Sequence, residues 1–179
     1  MASASNIVWI FLDQCRAGAL GCYGHPFVKT PNLDRLAARG VLFEQAYCQN
    51  PVCVPSRVSM LSGLYSRQTG VLNNGDRMRP ADSQLLGAFN DAGYTTASVG
   101  KVHLGLRPEA AGFAIHRNIV HSGIGHCEIP PDYPKDWPHK RFGVPGFPQP
   151  VLYATDMCPR EETYCARGVD EALELWRVH

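Results

Sequence analysis

The apolar residues of this chain form short continuous runs that are separated by segments with helical spacing. Residues 6–12 (Asn-Ile-Val-Trp-Ile-Phe-Leu) are almost entirely apolar, with many β-branched and aromatic side chains. Such a run is typical of a strand that is buried on both faces of a sheet. Residues 41–47 and 95–99 have a similar character, and we predict strands there as well.

Helices are predicted between and after these strands. Four segments combine helical spacing with start or stop signals: residues 32–39, 55–64, 83–92 and 160–178. The first is the clearest, because Thr30 is a favourable N-cap, Pro31 fits the first helical position, and Gly40 fits the end. Pro55 opens the second helix in the same way. The loop before it, residues 49–54, contains Cys53, which we therefore expect just before a helix.

The alternation of strands and helices predicts an α/β fold with a mainly parallel sheet flanked by helices. We predict a core of strands and helices over residues 1–107, a long loop region over 108–159, and a helix over 160–179. A loop of that length is typical of a segment that builds or covers a site. Its aromatic side chains either line a pocket or pack over the sheet: Tyr133, Trp137 and Phe142.

Composition excludes several classes of partner. The 179 residues are 45% hydrophobic, which suffices for one domain with its own core. Seventeen Lys and Arg against sixteen Asp and Glu leave a net charge of +1, so we expect no nucleic-acid and no membrane partner. The first residues lack a basic stretch, and the apolar run after them is too short for a signal peptide or a membrane span. We therefore expect a cytoplasmic protein.

The seven cysteines do not form a recognisable framework. Their number is odd, their spacing is irregular, and no pair forms a Cys-x-x-Cys zinc motif. We predict mostly reduced thiols that act as small buried hydrophobic residues, apart from Cys53.

Polar residues follow the predicted strands, where ligands of parallel sheets bind. Asp13 and Gln14 come directly after the first strand and offer two oxygen ligands for calcium, magnesium or manganese. An Asp at a strand end is equally typical of a cap or a turn. The pair is therefore a candidate metal site only in combination with other residues.

Cys53 lies at the predicted start of a helix, where backbone N–H groups and the helix dipole favour negative charge. Arg57, one turn further, adds donors whose geometry suits sulfate or phosphate oxygens. These residues alone permit a cysteine nucleophile, a redox thiol, or a buried Cys beside a solvated Arg.

Lys101 and His103 are two residues apart, so on an extended segment both project from one face. Lys neutralises non-bridging oxygens, and His donates a proton to a leaving oxygen. Asn73 and Asn74, which precede Gly75, are typical of a turn.

Several segments together resemble the sulfatases of the alkaline-phosphatase-like superfamily. Residues 53–57 (Cys-Val-Pro-Ser-Arg), followed by Ser-Gly at 62–63, resemble the sulfatase signature Cys-x-Pro-Ser/Thr-Arg with its trailing Ser/Thr-Gly. The pair at 13–14, the segment Thr-Pro-Asn-Leu-Asp-Arg-Leu-Ala at 30–37 and Gly-Lys-Val-His-Leu-Gly at 100–105 also fit the family pattern. The resemblance covers residues 6 to about 105 and implies the family's α/β fold.

The resemblance implies a particular chemistry for Cys53. In this family a formylglycine-generating enzyme converts the cysteine to formylglycine, whose hydrate attacks the ester and is then regenerated as the anion leaves. The implied catalytic residues are Cys53, Arg57, Lys101 and His103. The implied substrate-binding residues are Asn74, Lys101 and His103, and the implied metal ligands are Asp13, Gln14 and modified Cys53.

The implied function is metal-dependent hydrolysis of a small-molecule sulfate ester to sulfate and an alcohol. The alternative within the same machinery is hydrolysis of phosphonate or phosphate mono- or diesters. Gln14, where many arylsulfatases have Asp, resembles the choline-sulfatase and phosphonate monoester hydrolase branches. We expect one divalent ion, calcium in the first place and manganese or magnesium as alternatives.

Two other classes of protein remain open at this point. One is a thiol or redox enzyme that uses unmodified Cys53, and the other is a non-catalytic remnant. Sulfatases run to several hundred residues and carry further metal ligands downstream, an Asp followed by His or Asn. We therefore expect the chain to be an incomplete N-terminal portion of the catalytic domain, and poorly active or inactive as an isolated fragment.

Overall fold

A computed structural model of the protein describes residues 5–120, 140–141, 151–153 and 164–178, with side chains over 5–117 and 166–178. The chain divides into two compact units, Met1–Tyr47 and Cys48–His179. Within the described ranges, no helix has the length and apolar character that crossing a membrane requires.

The first unit is organised around helix α1, Pro31–Arg39, which confirms the helix predicted over 32–39. Pro31 takes the first helical position and Gly40 follows the last residue, as expected. The Thr30 hydroxyl does not cap the helix, however. It accepts a hydrogen bond from the Gly21 N–H and donates one to the Asp34 carboxylate, both at 2.8 Å. Thr30 thus connects the preceding turn to the first turn of α1.

The strands predicted over 6–12 and 41–47 are wrong. Neither segment belongs to a sheet among the described residues, and their apolar side chains are exposed, as with Trp9 at 59%, Ile10 at 69% and Phe43 at 69%. An apolar, β-branched run becomes a strand only when a neighbouring strand pairs with its backbone and other elements cover its faces. Within the described part of the first unit, no strand supplies such pairing.

Helix α2, Cys53–Ser62, opens the second unit and begins two residues earlier than predicted. Pro55 is its third residue, not its first. Proline is tolerated throughout the first turn, because the N–H that it lacks has no acceptor inside the helix there. The helix ends at Gly63, whose φ of 71° lies in the left-handed region, so the predicted end at residue 64 is two residues late.

The core of the second unit forms where α2 meets the segments that follow it. The buried apolar residues of this cluster are Val54, Val58, Leu61, Val71, Met78, Leu86, Val102, Leu104 and Ala111. Short helix α3, Ser66–Thr69, was not predicted, whereas helix α4, Gln84–Asp91, confirms the prediction for 83–92. Between them, Arg79 forms a bidentate ion pair with the buried carboxylate of Asp82, with both N–O distances at 2.8 Å.

A small parallel sheet follows the core. Strand β1, Ala97–Lys101, begins two residues later than predicted and pairs in parallel with β2, Ile115–Val120. Helix α5, Tyr164–Val178, packs against both strands and confirms the predicted final helix over the residues described. Parallel strands packed against a helix fit the α/β class.

The region predicted as a long loop, 108–159, contains strands and is wrong for those residues. Besides β2, it holds β3, Lys140–Arg141, and β4, Val151–Tyr153, which pair antiparallel. Polar residues interrupt the apolar pattern of β2, so its pairing with β1 was not visible in the sequence. Tyr133, Trp137 and Phe142 lie outside the described residues.

Four of the described cysteines form no disulfide, and their reduced state stays a prediction: Cys15, Cys22, Cys48 and Cys53. Cys15 and Cys48 are exposed, so the prediction that they are small buried residues is wrong. Cys127 and Cys158 lie outside the described residues, as does the side chain of Cys165.

Candidate active site

The start of helix α2 is capped by side chains from other segments. Its N-cap residue, Val52, has no side chain able to accept a hydrogen bond. The Asn50 side chain accepts from the Val52 N–H at 3.1 Å, and the Asn74 side chain accepts from the Val54 N–H at 3.0 Å. Pro55 has no N–H. The backbone donors expected to hold an anion here are therefore largely used within the chain, and side chains must supply most of the anion contacts.

Lys101 is the side chain that directly contacts Cys53. Its Nζ donates to the Cys53 Sγ at 3.5 Å, and the cysteine itself is partly exposed. Arg57 NH1 donates to the backbone carbonyl of the same lysine at 2.6 Å. Arg57 is only 5% exposed, so the alternative of a solvated Arg is wrong. Lys101 and the positive end of α2 thus meet at residue 53, with Arg57 bound to the carbonyl of the same lysine, and this arrangement favours an anionic group.

His103 has a backbone conformation that is uncommon for a residue with a side chain. Its φ is 46°, and Gly100 and Gly105 on either side have φ of 84° and 64°. The chain therefore leaves the extended conformation after Lys101, and the predicted placement of both side chains on one extended face is wrong. Residues with such strain concentrate at functional sites.

Gln14, in the first unit, also has a positive φ. It has φ of 54°, and within the described ranges Gln14 and His103 are the two non-glycine residues with positive φ. Both are residues that the sequence predicts for the site. Asp13 and Gln14 lie in a turn, where such a φ is common, so a metal-binding role for Gln14 stays a prediction.

Asn73 and Asn74, in the turn at residues 72–76, make different contacts. Asn73 Oδ1 accepts from the Gly75 N–H at 2.8 Å, so Asn73 builds the turn. Asn74 instead reaches the Val54 N–H on α2. The Asp76 carboxylate closes the turn, accepting from the Leu72 and Asn73 N–H groups at 2.7 and 3.0 Å.

The structure therefore brings Cys53, Arg57, Asn74 and Lys101 together through direct contacts with one another or with α2. Sequence reasoning missed Asn50 and Asp76. Asn50 lies two residues before the N–H that it binds, which is a recognisable Asx-turn signal. The contribution of Asp76 depends on a loop whose position the sequence does not reveal.

The predicted metal ligands are divided between the two units. Asp13 and Gln14 belong to the first unit, and Cys53 belongs to the second. Among the side chains that the structure describes, no group of three or more His, Cys, Asp or Glu could hold a metal ion. Metal binding by Asp13, Gln14 and residue 53 stays a prediction.

Comparison with known proteins identifies relatives along most of the chain. A sequence model for the family described as Sulfatase matches residues 5–174. An arylsulfatase of Clostridium perfringens is 37% identical over 122 residues, which cover 68% of this chain and 25% of that protein. An N-acetylgalactosamine-6-sulfatase of Sus scrofa is 39% identical over 117 residues, covering 58% and 22%. The chain thus spans about a quarter of the length of these relatives.

A solved structure extends the similarity to the fold. It is the structure of a protein in complex with its substrate D-glucosamine-2-N,6-O-disulfate. That protein aligns with this chain at a TM-score of 0.51 and 35% sequence identity, and the alignment covers 54% of this chain and 19% of the other. This likeness confirms the α/β fold of the alkaline-phosphatase-like type that the signature around Cys53 implied. With the family match over residues 5–174 and these relatives, the chain belongs to the sulfatase family.

Proposed function

We propose that the protein hydrolyses sulfate esters to sulfate and an alcohol, with residue 53 at the reaction centre. The observation that carries this proposal is the 3.5 Å contact between Lys101 Nζ and Cys53 Sγ. Buried Arg57 lies one turn further along α2 and binds the carbonyl of the same lysine. Positive charge concentrated around a partly exposed residue at a helix start suits a substrate and a transition state that carry negative charge.

Conversion of Cys53 to formylglycine is part of this proposal, with a formylglycine-generating enzyme as the maturation partner. Residue 53 fits the modified group, because an oxygen on its Cβ would replace a sulfur that already accepts a hydrogen bond from Lys101. When formed, hydrated formylglycine supplies a hydroxyl nucleophile for the sulfur of the ester.

Lys101, Arg57 and Asn74 bind and orient the sulfate group in this proposal. The Lys101 ammonium neutralises a non-bridging oxygen, while Arg57 adds charge and holds the end of β1 through the Lys101 carbonyl. The Asn74 carbonyl oxygen is occupied by the Val54 N–H. Its Nδ2 is therefore the group that donates to a sulfate oxygen, because only an N–H can donate to an anion.

His103 is proposed as the proton donor to the leaving oxygen. Imidazole is the usual side chain for this task near neutral pH. The strained backbone at φ of 46°, between two glycines with positive φ, supports a position that is selected for the site and not for local stability.

Asp13 and Gln14 would hold one divalent cation, with calcium as the first choice and manganese or magnesium as alternatives. Their oxygen atoms fit these hard cations, and the ion would supply charge stabilisation at the sulfate oxygens. Calcium takes about six to eight oxygen ligands, so the pair provides only part of the set.

Sulfated sugars are the substrate class that the relatives favour. Two of the matched proteins are named for, or bound to, sulfated amino sugars: N-acetylgalactosamine-6-sulfatase and the protein in complex with D-glucosamine-2-N,6-O-disulfate. The second candidate is hydrolysis of phosphonate or phosphate esters, which stays open because Gln14 resembles both the choline-sulfatase and the phosphonate monoester hydrolase branches.

A direct assay distinguishes these candidates. The full chain would be co-expressed with a formylglycine-generating enzyme and tested with an aryl sulfate, a 6-O-sulfated N-acetylhexosamine and an aryl phosphonate monoester. We expect low turnover from this N-terminal portion, with the highest kcat/KM for a sulfate ester and no turnover by Cys53→Ala. Higher kcat/KM for the phosphonate would support the second candidate instead.

Mass spectrometry of the peptide containing residue 53 provides the control. Formylglycine lowers the peptide mass relative to the thiol and reacts with hydrazides. Sulfate release that persists in Cys53→Ala, or that does not rise with the formylglycine content, would overturn the proposal of sulfate-ester hydrolysis at residue 53. A peptide that stays an alkylatable thiol in the native host would favour a thiol enzyme instead.

A further inference from the structure

A loop between two core residues connects the two halves of the candidate site. Val71 and Met78 are each 2% exposed and belong to the same apolar cluster as α2. The Met78 N–H donates to the Leu104 carbonyl at 2.9 Å. The loop over 72–77 is therefore fixed at both ends, one of which lies beside the segment carrying Lys101 and His103.

Asp76 closes this loop from within. One oxygen of its carboxylate accepts hydrogen bonds from two successive backbone N–H groups, those of Leu72 and Asn73, at 2.7 and 3.0 Å. The Asp76 N–H donates in turn to the Asn73 carbonyl at 3.2 Å. Bonds to a charged acceptor are stronger than neutral ones, so the carboxylate is the main restraint on the shape of the turn.

Asn74 at the tip of the turn caps the helix that carries Cys53. Its Oδ1 lies 3.0 Å from the Val54 N, twenty residues away in sequence. Val52 cannot perform this task from the N-cap position. The first turn of α2 therefore depends on a side chain that the Asp76 turn holds in place.

The backbone of Asp76 also contacts the other half of the site. A Cβ atom on Gly105 would lie 2.6 Å from the Asp76 carbonyl oxygen and 2.9 Å from the Arg77 Cα. The two backbones approach this closely only because residue 105 is glycine. Asp76 thus lies between the helix start and the segment that follows Lys101 and His103.

We infer that Asp76 is a positioning residue, which acts through Asn74 and Gly105 to set the distance between residue 53 and Lys101. The functional part of this inference rests on the proposed sulfatase activity. The structural part does not, because the exchange rate of the Val54 amide reports the Asn74 contact without any turnover.

The test compares Asp76→Ala, Asp76→Asn, Asn74→Ala and the double variant Asp76→Ala/Asn74→Ala in the full chain. Asp91→Ala is the matched control, because Asp91 is an exposed residue at the end of α4. Amide hydrogen exchange is measured by mass spectrometry on peptides spanning residue 54. We expect Val54 exchange to rise by about fivefold to tenfold in Asp76→Ala and in Asn74→Ala, and to stay unchanged in the control.

The kinetic expectation is a loss in kcat of about tenfold to a hundredfold for Asp76→Ala, with a smaller change in KM. The double variant should lose no more than the more impaired single variant, because Asp76 acts through Asn74. Asp76→Asn keeps the shape and one acceptor, so it should fold and show a smaller effect in the same direction.

Two results would overturn the inference. One is unchanged Val54 exchange in both Asp76 variants, whatever their activity. The other is losses in kcat that multiply in the double variant, which would mean that the two residues act independently. Sulfate release that does not depend on residue 53 would contradict the proposed function alone, and Val54 exchange would still decide the role of Asp76.

Discussion

The Lys101 ammonium lies 3.5 Å from the Cys53 sulfur, and the carbonyl of the same lysine accepts a 2.6 Å hydrogen bond from Arg57. These contacts join residues that are 48 and 44 positions apart in the chain. The end of β1 is thereby attached to the first two turns of α2 at two points. A displacement of this strand end would move the Lys101 ammonium away from residue 53. It would also break the hydrogen bond that the buried Arg57 guanidinium donates to the Lys101 carbonyl.

Lys101→Ala tests the first of these contacts. Removing a cation that stabilises the sulfate oxygens in the transition state should lower kcat/KM for an aryl sulfate by about a hundredfold to a thousandfold. Formylglycine content is measured on the same preparation, so that a maturation defect is not mistaken for a catalytic one. Lys29→Ala, at an exposed position of the first unit, should retain full activity. Wild-type kcat/KM in fully converted Lys101→Ala would contradict the assigned role.

Arg57→Lys tests the second contact. The substitution keeps the charge but loses the planar donor set that reaches the Lys101 carbonyl from a site only 5% exposed. We expect the free energy of unfolding to fall by about 1–3 kcal/mol in urea titrations, because the partly buried Lys101 carbonyl loses its charged donor. Arg39→Lys, at the exposed end of α1, should change it by less than about 0.5 kcal/mol. Equal stability of both variants would show that the Arg57 bond adds nothing to folding.

The helices could be predicted from the sequence because their signals are local. The Thr-Pro at 30–31, Gly40, Gly63 and Gly93 mark starts and ends within a few residues of the helices themselves. The strands over 6–12 and 41–47 were predicted from apolar character alone. Pairing partners and covering faces are non-local, and the pattern contains no information on whether they are present.

The residues of the candidate site divide in the same way, into those that a local motif identifies and those that depend on non-local contacts. Cys53, Arg57, Lys101 and Asn74 could be chosen because a motif with fixed spacing identifies them. Asp76 could not, because its importance comes from the proximity of a turn to residues twenty or more positions away. No residue type or spacing near position 76 carries that information.

The Asp82 carboxylate should give stability a specific dependence on pH. Hydrogen bonds from Arg79 lower the pKa of Asp82 from its usual value of 3.8, against the opposing effect of burial. A lowered folded-state pKa stabilises the fold above the unfolded pKa, and this contribution disappears as the pH falls through the folded value. The stability difference between wild type and Asp82→Asn should therefore be largest near neutral pH and shrink below about pH 4. Urea titrations from neutral to acidic pH measure it.

Asp91→Asn is the control for this experiment, because Asp91 is exposed and should give a small difference that is nearly constant with pH. A difference for Asp82→Asn that grows toward acidic pH would have the wrong sign for a lowered pKa. It would mean that the carboxylate is destabilised by burial more than it is stabilised by Arg79.

Two glycine-to-alanine substitutions test whether the close approach at Gly105 is required. Gly105 has φ of 64°, and a Cβ there would lie 2.6 Å from the Asp76 carbonyl oxygen. Gly105→Ala should therefore cost more than about 1 kcal/mol of unfolding free energy, and also lower kcat by displacing the Asp76 turn. Gly87→Ala is the matched change in open space inside α4, with no atom within 4 Å of the new Cβ. It should stabilise the fold by about 0.5–1 kcal/mol, since alanine restricts the unfolded chain and favours the helix.

The opposite signs make the comparison decisive, because both variants add the same methyl group and remove the same backbone freedom. Urea midpoints and kcat are measured on both variants after equal formylglycine conversion. A stabilising or neutral Gly105→Ala would mean that the Asp76 carbonyl moves aside easily. The contact between the 72–77 loop and the segment after His103 would then be incidental, and the site would have to keep its geometry through the Arg57 and Lys101 contacts alone.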